Sequence, residues 1–360
     1  MLPQDLDWVE FIDICSTNSI RPFVHRALGL AGWKGVPTPV RDSLQDFVTK
    51  NTRHNVFLSL ELTRIMASLK DAGVPSATFK GPTLAEAAYG SVGLREFSDL
   101  DVIVRKPDLP ATVRLLAAEG YRTEDFELQS RNYHEKIGQA VFRRDGTGFA
   151  IDLHWKMAPF GMPFPFSDEE LWDLLQPLPL AGSSVPGLAS EHLAQFLAFH
   201  GAKERWRSLK WINDFAVFCR AWHSIDWEKL LRRSALNHCS RDLLLAAGVC
   251  DALGLTAPPV LIAAGQNDRS IAPIVSLTIG RLVSPRPETD LSIFLYSMAA
   301  TERRREKIAI SVSLFTTLTA SDFDTVRLPR RLYWLYYAIR PFRLAGKALG
   351  LLFQRFRDAR

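Results

Sequence analysis

The chain has 360 residues, 47% hydrophobic and 23% charged, a globular balance that excludes a disordered or collagen-like chain and leaves room for two domains. Lys and Arg number 44 against 39 Asp and Glu, and the net charge of +5 suits a polyanionic ligand without selecting nucleotide, nucleic acid or anionic lipid. Cys15, Cys219, Cys239 and Cys250 are far apart with no CxxC pair, which argues against a disulfide scaffold or zinc ribbon and for a reducing, cytoplasmic setting. The N-terminus lacks the basic-then-apolar order of a signal peptide, and no apolar run reaches the ~20 residues of a spanning helix.

Residues 1–75 read as helical, with an apolar stripe of Val56, Leu60, Leu62, Ile65, Met66 and Leu69 that closes at Gly73. Ser76–Phe79 is β-prone, Lys80-Gly81-Pro82 is a turn, and Pro82 suits the first position of a helix through Tyr89. Leu100–Val104 reads as a buried strand, Pro107–Gly120 as a helix and Tyr121–Glu127 as a strand. Asp145-Gly146 marks a hairpin between Gln139–Arg144 and Gly148–His154. That makes about four strands. The prolines from Pro159 to Pro186 read as a connection, and Ser190 to about Gly280 as helices.

The chemistry concentrates in Phe79-Lys80-Gly81-Pro82-Thr83 and in Arg95-Glu96-Phe97-Ser98-Asp99-Leu100-Asp101. Strand residues two apart share a face, so Asp99 and Asp101 project together and need a compensating cation. Mg²⁺ is the first choice, since it takes oxygen ligands and leaves room for substrate phosphates, with Mn²⁺ as a substitute. Asp152 and His154 share one face of a later strand, and three strand carboxylates on one sheet edge suggest a two-metal site for displacement at phosphorus. His154 reads as the group that holds Asp152 from behind, or as a partly buried, hydrogen-bonded histidine. Lys80 supplies a point charge, Gly81 lets the backbone approach a phosphate, and Arg95 can clamp a phosphate oxygen. Lys203 and Asp214, in the helical half, either reach the nucleotide or pair with each other. The structural alternative makes Asp99 a turn cap beside Ser98 and Asp152 the partner of a buried arginine.

This ordered set resembles the nucleotidyltransferase superfamily with the DNA-polymerase-β-type palm. More narrowly it resembles the bacterial uncharacterised nucleotidyltransferase family, through Lys80-Gly81, Arg95 to Asp101 and Asp152-Leu153-His154-Trp155. The segments His200-Gly-Ala-Lys203, Leu209-Lys-Trp211-Ile-Asn-Asp214 and Asp226-Trp227 look like that family's helical half. Pro82-Thr83 stands where a small hydroxyl residue is usual, and the interval from Gly81 to Asp99 exceeds the common spacing. The resemblance implies an α+β fold: a small mixed-sheet palm at 76–180, N-terminal helices at 1–75 packed on it, a helical domain at 181–290, and basic, aromatic helices at 291–360. It implies transfer of a nucleoside monophosphate from an NTP to an acceptor hydroxyl. Asp99, Asp101 and Asp152 would hold the metals, with His154 behind them. Lys80, Gly81, Thr83, Arg95, Ser98, Lys203 and Asp214 would face the nucleotide. The alternatives are a catalytically weak NTP-binding regulatory module and a tailoring transferase acting on a peptide. The acceptor is a small molecule, a sugar or a peptide; RNA is disfavoured by the modest charge.

The tail sets aromatic and aliphatic residues among Arg330, Arg331, Arg340, Arg343, Lys347, Arg355 and Arg357. Two readings stay open for 330–357: docking on the helical domain, or weak contact with an anionic membrane surface. Pro341 is expected to split its helix.

Overall fold

In the computed structural model, residues 3, 6–123, 137–159, 161–284, 289–316 and 328–358 are described. The chain divides into two compact units, Met1–Ser284 and Pro285–Arg360. The first begins with helices α1 (Trp8–Thr17), α2 (Arg21–Leu30) and α3 (Thr38–Asp71), followed by β1 (Ser76–Thr78), α4 (Gly81–Tyr89), β2 (Asp99–Val104) and α5 (Leu109–Ala118). Next come β3 (Tyr121–Arg122), β4 (Gln139–Arg144), β5 (Ala150–His154), α6 (Asp168–Asp173), β6 (Gln176–Leu180) and β7 (Ser183–Gly187). Six helices complete the unit: α7 (Ser190–Lys203), α8 (Leu209–Ala221), α9 (Trp227–Leu236), α10 (Ser240–Ala252), α11 (Pro259–Asn267) and, last, α12 (Ile271–Val283). The strand expected over Tyr121–Glu127 is seen as β3; residues 124–127 lie outside the described residues.

The fold is α+β, with one seven-stranded mixed sheet in the order β3-β4-β5-β2-β1-β7-β6. Two of those strands, β6 and β7, lie outside the segments read as strands, and the clearest correction is the proline-rich segment, which is no mere connection. Leu178, Leu180 and Val185 are buried, and β6 and β7 pair as a hairpin around Ala181 and Gly182, both at positive φ, the conformation a tight two-residue hairpin turn requires. Pro177 and Pro179 lie on the outermost strand, where a missing N–H costs the ladder least.

The strand β2 has a different core on each side. Leu100, Val102 and Val104, with Ile151 and Leu153 of β5, pack against Leu58, Leu62, Ile65, Met66 and Leu69 of α3. Burying each such side chain contributes roughly 1.5–3 kcal/mol. Two members of the expected stripe, Val56 and Leu60, are exposed instead, because at 100° per residue they point away from Leu58 and Leu62. On the opposite face Ile103 meets Leu193, Phe196 and Leu197 of α7, with Phe215 of α8 and Leu243 of α10 in the same cluster. Asp99 and Asp101 share that second face with Ile103, at the seam between sheet and helices.

The second unit holds α13 (Asp290–Ala300), α14 (Arg304–Thr316) and α15 (Leu335–Asp358). Contrary to expectation, α15 runs straight through Pro341. The ring costs the bond that would end on the Tyr337 carbonyl, and Tyr337 is exposed, so water can satisfy that oxygen. Tyr336 and Arg340, one turn apart, are buried, while Trp334, Tyr337 and Phe342 are exposed. No helix among the described residues is long and apolar enough to cross a membrane.

Candidate active site

The site is built by strand register. Strand β2 pairs parallel with β5, setting Asp101 opposite Asp152, Asp99 opposite Ala150 and Ile103 opposite His154. Paired strand residues share a face, so two carboxylates from chain segments 51 positions apart become neighbours. The approach to β2 is held from behind: Asn55 of α3 donates to the carbonyls of Val92 (2.7 Å) and Arg95 (2.8 Å), and Glu96 binds Arg21 at 2.7 Å.

Asp101, Asp152 and His154 each offer a ligand atom, all within 4.8 Å of one another. His154 Nε2 lies 3.3 Å from Asp152 Oδ2 and 3.8 Å from Asp101 Oδ1. Gln139 of β4, paired across from His154, donates to Asp152 Oδ2 at 3.2 Å. Asp152 Oδ1 is buried without a hydrogen-bond partner among the described residues. Asp99 lies one pair further along the same face, outside this convergent set.

The cation on the page is Lys80. It precedes α4, and its Nζ sits 2.8 Å from Asp101 Oδ1 and 5.4 Å from the centre of the Phe196 ring. Gly81 follows at φ +53, and a Cβ there would lie 3.2 Å from the Asp99 carbonyl, so glycine is required for this close approach. Burial alone would lower the Lys80 pKa, but Asp101 and Asp99 outweigh it and hold the ammonium charged. Burial lifts Asp101 above the usual carboxylate range despite Lys80, with Asp99 and Asp152 adding to the rise. Asp152 goes the other way: burial opposes, but His154, Lys80 and Lys203 bring it below its ordinary value. The rise at Asp101 comes first from burial and then from the carboxylates of Asp99 and Asp152, and a divalent ion bound here would offset both. The donor set and the partnerless Asp152 oxygen fit such an ion.

The remaining expected residues divide. Lys203 ends α7 within the field of Asp152, its pKa lowered by burial and by Lys80. Thr83 is fully buried and its hydroxyl donates to the Lys80 carbonyl at 2.9 Å, bracing the turn. Ser98 is exposed just before β2. Arg95 and Asp214 meet each other: Nε to Oδ1 at 2.7 Å and Nη2 to Oδ2 at 2.8 Å, both side chains almost wholly buried. Tyr89 adds its hydroxyl to Asp214 Oδ1 at 2.6 Å, so this cluster ties α4 and the approach to β2 onto α8. The Asp214 pairing is therefore with Arg95 rather than with Lys203.

Two residues beside the site escape the sequence reading. Lys210 opens α8 one turn before Asp214, and its pKa falls to about 8 through burial and then Arg95. The i, i+4 spacing of Lys210 and Asp214 was the available signal. Gln139 carries none, since only the hairpin register brings it to Asp152.

A single unit thus sets paired acids from two strands beside a glycine turn and half-buried lysines, an arrangement suited to a divalent cation and a phosphate. The chain belongs to the uncharacterised nucleotidyltransferase family, whose model matches residues 4–254, and is an enzyme of that class. No curated protein matches the chain in sequence. Among solved structures it is similar to the antibiotic-resistance factor ANT(2'')-Ia in solution, 16% identical over 51% of this chain and 91% of that one with a TM-score of 0.36. The same factor in complex with adenylyl-2''-tobramycin is 16% identical over 49% and 95%, TM-score 0.35. An antigenic nucleotidyltransferase-like protein from Paracoccidioides brasiliensis is 13% identical over 57% and 96%, TM-score 0.35.

Proposed function

We propose that this enzyme moves a nucleoside monophosphate from an NTP to an acceptor hydroxyl and releases pyrophosphate. The observation that carries the reading is the register pairing of Asp101 with Asp152, which aims two buried carboxylates and His154 at one point beside Lys80. Asp101 and Asp152, with Asp99 beside them, would hold a divalent cation. Bound there, it would supply charge against the phosphate oxygens and lower the pKa of the acceptor hydroxyl. The acceptor hydroxyl gives up its proton to water and its oxygen attacks the α-phosphorus as the bond to the bridging oxygen breaks, and the displaced electrons leave on pyrophosphate. Lys80 touches Asp101 through one ammonium on a flexible stem, a contact it can trade for a phosphate oxygen; Lys203 and Lys210 add charge for the same anion. Thr83 and Gly81 fix the turn that presents Lys80, and the Arg95–Asp214 pair ties the approach to β2 onto α8.

The test incubates the protein with labelled NTPs, a divalent metal and a panel of sugars, small-molecule alcohols and peptides, and follows pyrophosphate release. Product that vanishes in Asp101→Asn, with folding intact, supports the reading; an unchanged rate and unchanged NTP affinity in that variant sinks it. Tight NTP binding without product on any acceptor would favour the regulatory module instead. For the tail, the exposed Trp334, Tyr337 and Phe342 among arginines support weak membrane-surface contact. Co-sedimentation with anionic liposomes that is lost in high salt tests it, and no binding at low salt refutes it. Four buried cysteines, none of them in a disulfide, support a cytoplasmic setting.

A further inference from the structure

His154 departs from the all-oxygen environment that Mg²⁺ prefers. Its Nε2 is buried with no hydrogen-bond partner among the described residues, yet it points between two carboxylates, 3.3 Å from Asp152 Oδ2 and 3.8 Å from Asp101 Oδ1. A charge-assisted bond from an imidazolium would close to ~2.7–2.9 Å. The observed gaps are too long for that; the shorter falls within the spacing of adjacent ligands around one ion, about 3.0–3.5 Å for bonds of ~2.0–2.2 Å, and the longer, 3.8 Å, lies just beyond it. The rest of the shell is arranged to suit. Gln139 ties down Asp152 Oδ2 at 3.2 Å, while Oδ1 of the same carboxylate is buried without a partner. Phe79 meets the imidazole edge to face, with ring centres 5.1 Å apart, and keeps it from turning.

We propose that His154 is a direct ligand of the divalent cation, completing with Asp101 and Asp152 a mixed oxygen–nitrogen set that selects a first-row transition ion, with Mn²⁺ as probe, over Mg²⁺. The inference deepens the nucleotidyl-transfer reading and rests on it only for the cation's role in turnover. The physical basis is donor type. Imidazole nitrogen binds first-row transition ions well, whereas Mg²⁺ is a hard cation that sheds water reluctantly and favours carboxylate and phosphate oxygens. Exchanging one oxygen donor for Nε2 therefore weakens Mg²⁺ more than it weakens its competitors.

The experiment uses the full-length protein without nucleotide. Mn²⁺ is titrated by loss of the free-ion EPR signal, and Mg²⁺ by competition against it. Electron spin-echo modulation then reports whether nitrogen is bound, with ¹⁵N-histidine labelling to identify imidazole. Nitrogen modulation in the wild type is expected, with its loss in His154→Gln. Mn²⁺ affinity should fall at least about 100-fold in that variant, beyond the ~10–100-fold typical of losing an outer partner, while Mg²⁺ affinity falls less than about tenfold. Mn²⁺ bound without nitrogen modulation overturns the proposal, as does modulation that persists in the variant, or an equal loss of both ions. Should His154→Gln fail to fold, His154→Asn replaces it, and the labelled wild-type spectrum alone still overturns the idea if no histidine coupling is present. Turnover with an ion bound only through oxygen would refute this inference and leave the functional reading standing. Histidine-bound Mn²⁺ without any transfer would do the reverse.

Discussion

Breaking the Arg95–Asp214 pair tests whether these residues hold the enzyme together or hold its substrate. The two side chains are 5% and 3% exposed and share two bonds of 2.7 and 2.8 Å. Removing one partner of a buried pair strands the other charge and costs ~3–5 kcal/mol. Asp214→Leu leaves the Arg95 guanidinium buried against an apolar side chain, so it belongs at the upper end. Arg95→Met leaves Asp214 its bond from Tyr89 at 2.6 Å and the nearby Lys210, which places it at the lower end. At roughly 2 °C per kcal/mol for a unit of this size, the thermal midpoint should drop by about 6–10 °C. The double variant Arg95→Met/Asp214→Leu replaces both charges with apolar groups and should cost no more than the worse single variant, about 5 kcal/mol against a sum of about 8, a coupling energy of about 3 kcal/mol or more. Urea titrations followed by circular dichroism measure all four proteins. Single losses below about 1 kcal/mol that simply add in the double variant, together with a large loss of NTP affinity, would refute the structural role and restore Arg95 as a phosphate clamp.

Three further outcomes follow from particular contacts. Gly201→Ala puts a Cβ 2.3 Å from the fully buried Trp206 ring, so urea stability should fall by about 1–3 kcal/mol; an unchanged midpoint would mean the indole can move aside. Lys210, with a pKa of about 8, is half neutral at pH 8, and a polyphosphate beside it should raise that value, so NTP binding takes up a fraction of a proton. Calorimetry in buffers of different ionisation enthalpy should show this in the wild type and not in Lys210→Met; buffer-independent heats at pH 8 would place the phosphates elsewhere. Asp214 is held below its ordinary value, burial being outweighed by Arg95, so its contribution is complete above the unfolded pKa of ~3.9 and is lost as pH falls below it. The urea midpoint of the wild type should therefore decline more steeply below pH 4 than that of Arg95→Met/Asp214→Leu, and matching declines would remove Asp214 from the acid limb.

What the sequence makes legible is local. Acids alternating with aliphatics mark Asp99, Asp101 and Asp152 as strand residues on one face, and Lys80-Gly81-Pro82 announces a turn into a helix. What stays hidden depends on register and on contacts between distant segments. Nothing in the sequence says that Asp101 rather than Asp99 will stand opposite Asp152, since a two-residue shift of register exchanges them and keeps the face. Arg95 and Asp214 are 119 positions apart, and their pairing follows only from α8 packing beside α4. Residues 176–187 mislead because proline signals a connection unless the segment lies at a sheet edge, and sheet position is a tertiary fact. His154 is visible as a strand residue beside Asp152, but its approach to Asp101 needs the β2–β5 pairing.

The place of β2 in the sheet also bears on how the enzyme ages under stress. It is flanked by β1 on one side and β5 on the other, and its two faces are covered by separate cores. Its amides should exchange with deuterium only through global opening, whereas the outer strands β3 and β6 are free to breathe locally. Partial unfolding from either edge would leave the acids of β2 in register with Asp152, so the reaction centre is among the last parts of the sheet to dissolve.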